Sequence, residues 1–202
     1  MNLKFLASFL LLCAVVLYTT KRSDKAGELA EKKFWDKEYR ANSTRKKSLD
    51  SLHYITIPES ILQMHPVSTT EEIRDYLKDL QDLSALPIVN LTGISNTDLK
   101  LTYGTANITV LTEYDSHYTN MVTILHKLAQ CLVNAGEMQL AKEVLEFAVS
   151  TGTDVSKSYY LLASIYQQEG TPDKIQKLIH SAASLNTMMK DSIIHKLEEM
   201  LS

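Results

Sequence analysis

Apolar residues in the second half of the chain recur with helical periodicity. Met121, Val122, Leu125, Leu128, Ala129 and Leu132 form one stripe, spaced as on one face of an amphipathic helix. Asn134-Ala135-Gly136 ends that stripe, with glycine suited to the left-handed residue that closes a helix. Leu140, Ala141, Val144, Leu145 and Ala148 predict a second helix, ended by Gly152. A third, capped by Ser156 or a neighbour, buries Tyr159, Leu162, Ala163 and Tyr166 and stops at Gly170. Thr171-Pro172-Asp173 starts a fourth, a hydroxyl cap followed by proline in the first turn. Ile175, Leu178, Ile179 and Ala182 continue it. Met189, Ile193, Leu197 and Met200 predict a last helix in the place of a cap, with Lys190, Asp191, Lys196, Glu198 and Glu199 facing water.

Upstream the pattern is weaker. Thr69-Thr70-Glu71-Glu72 places a hydroxyl three residues before a carboxylate, a capping box. Ile73, Tyr76, Leu77, Leu80 and Leu83 follow on one face, and Pro87 breaks the run. Ser95 and Asp98 predict another start, with Leu99 and Tyr103 on one side. Gly104 interrupts, and Ala106 to Tyr114 can form a further helix, weakened by Thr109, Val110 and Thr112. Residues 69–115 thus read as a helical N-terminal part, a candidate degenerate repeat. Residues 51–68 read as extended: His53 to Pro58 alternates β-branched and aromatic residues. With no partner strand in view, this strip is expected to lie on the helices. Residues 22–50 are a charged helix, running through about Arg40, and a linker.

The stripes match each other at a spacing of 34 residues. Leu128-Ala129 recurs as Leu162-Ala163, Gly136 as Gly170 and Ala148 as Ala182; Leu125 pairs with Tyr159, Leu132 with Tyr166, and Leu145 with Ile179. Over residues 116–202 this resembles the tetratricopeptide repeat (TPR), in which small residues sit where two helices cross. Counting from Val122 and Ser156, the small residue of position 20 is Ala141 in the first unit but Ile175 in the second. The proline near position 32 is replaced by Thr153 and Thr187. The resemblance implies an all-α, right-handed TPR-like array of about two repeats, a capping helix and preceding helices. The layout is also similar to small membrane-anchored TPR-like proteins of Gram-positive bacteria.

The same resemblance implies that the first helix of each pair lines a concave groove for a protein or peptide partner. Thr123, His126, Gln130, Val133 and Asn134 would face it from the first unit. Lys157, Tyr160, Ser164, Gln167 and Gln168 would do so from the second. His126 and Gln130 stand where carboxylate-clamping members carry lysine and asparagine, so a clamp for C-terminal carboxylates is not expected. A polar, nearly neutral groove suits an extended peptide or a helix. The competing reading is that two repeats are too few for a groove and simply pack on the helices before them.

Phe5 to Thr20 is uncharged and apolar, flanked by Lys4 and by Lys21-Arg22. Sixteen helical residues rise about 24 Å, and interfacial Tyr18 and lysines would extend the reach. A cleaved signal peptide lacks its small-x-small site here, and Leu12 precedes Cys13 where a lipoprotein site wants a small residue. The segment is therefore expected to be a transmembrane anchor (residues 1–21), making the chain single-pass in the cell membrane. Lys21, Arg22, Lys25, Lys32 and Lys33 would keep the C-terminal domain cytoplasmic. The functional expectation is a membrane-tethered interaction scaffold; the alternative is an extracytoplasmic accessory factor in envelope or secretion assembly. Asn42, Asn90 and Asn107 open formal glycosylation triplets, which matter only in a eukaryotic lumen.

Composition adds mainly exclusions. The 202 residues are 45% hydrophobic and 22% charged, with six glycines and four prolines, which favours helices over a turn-rich sandwich. Net charge is −3 and no basic stripe crosses the C-terminal half, so no nucleic-acid partner is expected. Cys13 and Cys131 make neither a disulfide framework nor a metal pattern. His53, His65, His117, His126, His180 and His195 match no ligand spacing, and no phosphate loop or nucleophile elbow occurs. No catalytic residue, metal, cofactor or small-molecule substrate is assigned. An enzyme assembled from distant residues is the third and least favoured reading.

Overall fold

The protein is described by a computed structural model covering residues 3–201; the side chains of residues 3–6, 24 and 26 lie outside that description. Among the described residues the regular structure is helical. The elements are α1 (Leu3–Asn42), α2 (Glu59–Leu62), α3 (Glu71–Ser84), α4 (Asn96–Tyr103), α5 (Ile108–Asn134), α6 (Met138–Ser150), α7 (Ser156–Gln168), α8 (Pro172–Ala183) and α9 (Lys190–Leu201). The chain divides into two units, Met1–Lys47 with Ser95–Ile108, and Ser48–Ile94 with Thr109–Ser202.

The first unit joins the end of α1 to α4 through polar contacts. Ser95 caps α4, accepting from the Asp98 N–H at 3.2 Å and donating to its carboxylate at 2.6 Å. Lys37 pairs with Asp98 at 2.6 Å and holds its carboxyl below the usual range. Lys100 donates to Asn42 at 2.8 Å, and Thr97 donates to Glu38. Asn107 is buried, and its amide donates to the carbonyls of Lys47 (2.8 Å) and Tyr103 (2.7 Å).

The second unit holds a continuous apolar core. Ile57, Ile61 and Met64 join Ile73, Leu80 and Leu83 of α3 and the inward faces of α5 to α9. The pattern predicts an extended strip over residues 51–68, but Glu59–Leu62 within it forms α2, which carries the buried Ile61 into this core. The strip also has a partner that the pattern did not identify: Tyr54 forms an isolated antiparallel bridge with Val89, and the Ile55 N–H donates to Ile88 at 2.9 Å. Burial of Ile88 and Val89 fixes that connecting stretch in place.

The 34-residue spacing is matched in the backbone. At the end of α5, Gly136 N–H bonds Val133 and Glu137 N–H bonds Leu132. At the end of α7, Gly170 N–H bonds Gln167 and Thr171 N–H bonds Tyr166. Both glycines have positive φ, 81° and 66°. These are two Schellman closures, each satisfying carbonyls that the helix end leaves orphaned. Ala129, Ala163, Ala148 and Ala182 are fully buried, as close helix crossings require of small side chains.

Several expectations are corrected. Among the described residues no helix is long and apolar enough to cross a membrane. That finding overturns the single-pass anchor at residues 5–20, the cell-membrane location and the cytoplasmic placement that depended on the anchor. Phe5 and Leu6 fall among the undescribed side chains. The apolar run from Ala7 to Thr20 rises about 21 Å, short of a hydrocarbon core of about 30 Å. The charged residues that follow continue the same helix to Asn42.

Other differences are local. The weak helix expected over Ala106 to Tyr114 and the stripe that begins at Met121 belong to one element: α5 runs unbroken from Ile108, and its β-branched turn is held within a 27-residue helix. The cap of α3 is Thr70, which accepts from Ile73 N–H, so the third helical position carries no carboxylate and the capping box is half made. Val155, not Ser156, precedes α7, and it offers no side-chain cap. Thr171 does stand before Pro172, but its hydroxyl turns back to the Tyr166 carbonyl at 3.2 Å.

Candidate interaction face

Two adjacent helices of the second unit carry the residues expected to face a partner. α5 is anchored by Leu125, Leu128, Ala129 and Leu132, all fully buried, and α7 by Tyr159, Leu162 and Ala163. Those anchors fix which side chains point outward. His126 and Ser158 bring the helices together, with imidazole Nδ1 3.2 Å from the serine hydroxyl. Burial pushes the His126 pKa down, and the nearby Lys157 charge adds to that. The half-buried ring is thus an uncharged link between helices at neutral pH.

The other expected residues divide into three groups. Thr123, Gln130, Lys157 and Gln168 are exposed; the Thr123 hydroxyl donates back to Thr119 at 2.8 Å. Val133 and Ser164 are half-buried, and Ser164 donates to the Leu161 carbonyl. Tyr160 and Gln167 are engaged elsewhere, and Asn134 is exposed on the side toward the start of α3. The Tyr160 hydroxyl reaches the Ser192 carbonyl at 3.5 Å, and the Gln167 amide donates to the Met200 carbonyl at 2.6 Å. Both therefore hold α9 against α7. Asn134 lines a hollow of about 130 Å³ with Thr70, Glu72 and Cys131, at the start of α3.

Cys131 donates to Glu72 at 3.4 Å. Burial, then the Glu72 contact and charge, push its thiol pKa up, so the reactive thiolate is disfavoured. Sequence periodicity gave no sign of this α3–α5 contact, since it joins residues 59 positions apart.

Tyrosines secure the loop between α6 and α7. Tyr118 donates to the Thr151 carbonyl at 3.2 Å and Tyr159 to the Thr153 carbonyl at 3.0 Å. Burial dominates the shift at Tyr118, whose pKa is pushed up to about 12. Asn90 donates to the carbonyls of Thr151 (2.9 Å) and Gly152 (3.3 Å), so this glycosylation triplet is occupied by a structural contact. The Asn107 amide is occupied likewise in the first unit, whereas Asn42 is exposed and accepts from Lys100. Among the described residues no group of three or more histidine, cysteine or carboxylate side chains is placed to hold a metal ion.

No family model matches the chain, and neither a curated protein nor a solved structure does.

Proposed function

We propose that the chain is a small helical-repeat scaffold of the tetratricopeptide type, which binds an extended peptide or a helix of a partner protein along α5 and α7. One observation carries this reading. The two Schellman closures stand 34 residues apart and end helices whose buried small residues keep the same register. Such a unit stacks on its neighbours and leaves one side of the stack polar and accessible. Thr123, Gln130, Lys157 and Gln168 supply that side with uncharged hydrogen-bonding groups and a single cation. α9 takes the position of a cap, using Tyr160 and Gln167. The reading involves no catalytic step.

Photo-crosslinking side chains placed at Gln130 and, separately, at Gln168 test this. Capture of the same protein from both positions, and none from a crosslinker at Gln176 on α8, is the expected result. Capture from Gln176 alone, or from no position, overturns it.

A further inference from the structure

A cleft of about 320 Å³ opens between α6, α7 and α8. Its lining includes Val149 of α6, Leu162 and Tyr166 of α7 and Leu178 of α8. Leu162, Tyr166 and Leu178 belong to the core, so they present only a fixed edge and form a rigid apolar floor. Polar groups stand around it: Glu146 on α6, and Lys174 and Lys177 on α8.

The charges in this cleft are not equivalent. Glu146 accepts from the Tyr166 hydroxyl at 2.8 Å and lies 4.0 Å from Lys174. Lys174 also stands over the Tyr166 ring, 5.0 Å from its centroid. These three groups satisfy one another. Lys177 is exposed, one turn further along α8, and among the described residues no carboxylate forms an ion pair with its ammonium. An apolar floor with one uncompensated cation at its edge selects for a ligand of matching build. The apolar body removes water from the floor, and an anion at its end meets Lys177. Volumes of this order hold ligands of small-molecule size.

We propose that this cleft is a binding site for a small amphipathic carboxylate, an aryl or branched alkyl group carrying a single acid. The site is distinct from the α5–α7 face and does not depend on it.

Amide chemical shifts of the full chain, followed during titration with 4-phenylbutyrate, test the proposal. Saturable shifts confined to the cleft, at Val149, Ser150, Lys174, Lys177 and Ser181, are expected, with a Kd on the order of 1 mM or tighter. The neutral 4-phenylbutanamide should bind roughly ten-fold more weakly, and Lys177→Glu should weaken the acid by a similar factor, as expected for loss of a charge-assisted contact. Lys177 is exposed, and an unchanged thermal transition shows that the variant is folded. Equal binding of acid and amide, unchanged binding in the variant, shifts elsewhere, or none up to about ten times that Kd overturns the proposal. A third arm uses the acetylated peptide Asp-Asp-Leu-Asp-Asp; binding of the peptide without binding of 4-phenylbutyrate also overturns it, in favour of a peptide site.

Discussion

Asn186 lies directly against Gly93. Its side-chain amide donates to the Gly93 carbonyl at 2.9 Å, and a Cβ added to Gly93 would stand 2.2 Å from the Asn186 carbonyl oxygen. The contact ties the loop after Val89 to the α8–α9 connection, 93 positions away in sequence. Gly93 is further restricted by its φ of 79°. Gly93→Ala therefore meets two penalties, while Gly136→Ala, at φ 81° with nothing near the added carbon, meets one. Urea unfolding should give a loss of about 1–2 kcal/mol for Gly136→Ala and a larger one, by about 1 kcal/mol or more, for Gly93→Ala. Equal losses would mean that the loop yields freely and that the Asn186 contact does not constrain it.

The Lys142 side chain is nearly buried on α6, and its ammonium pairs with Glu169, just past the end of α7. This pair links one helix–turn–helix unit to the next. Removing only the carboxylate strands a cation in a poorly hydrated place, so Glu169→Ala should cost about 1–3 kcal/mol. Lys142→Met removes the charge and keeps the apolar stem, and should cost about 1 kcal/mol or less. A double-mutant cycle by thermal or urea unfolding checks the asymmetry; equal single-mutant costs would contradict it.

His126 makes the stability of the repeat unit depend on pH. Its pKa is lowered from 6.5, first by burial and then by Lys157. The unfolded chain therefore binds a proton more readily than the folded one, and stability rises with pH across that window. This contribution is complete above about 6.5 and is lost as pH falls through the folded value. Unfolding free energy should decline from pH 7.5 to pH 5.5, and His126→Gln should flatten the decline. Asp98 and Glu199 have pKa values shifted down by their lysine partners, so their effects fall in the carboxylate range and leave this window clear. An unchanged pH dependence in His126→Gln would show that the ring is not the group responsible.

The positions of most helices were legible because their signals are local. A stripe such as Ile73, Leu80 and Leu83 marks its own buried face, and a glycine at a helix end announces its own positive φ. α5 shows the limit of such signals. Thr109, Val110 and Thr112 disfavour helix by propensity, yet the helix is continuous there, with Leu111 fully buried. The membrane anchor was inferred from flanking charges and a short apolar run; the described helix does not reach the required length and apolarity. Tyr160 and Gln167 were assigned by register to a partner face, but register is blind to a neighbour such as α9, which takes up their polar groups.

The sequence alone determined an all-α chain and a 34-residue internal register, because helix period and helix closure are properties of a few consecutive residues. Tertiary structure decided everything that joins distant positions. It paired Tyr54 with Val89, set Asn186 against Gly93, left Thr123, Gln130, Lys157 and Gln168 exposed, and opened the cleft beneath Lys177. Those outcomes depend on which faces meet and what volume remains between them, and packing specifies them only once the helices are in place.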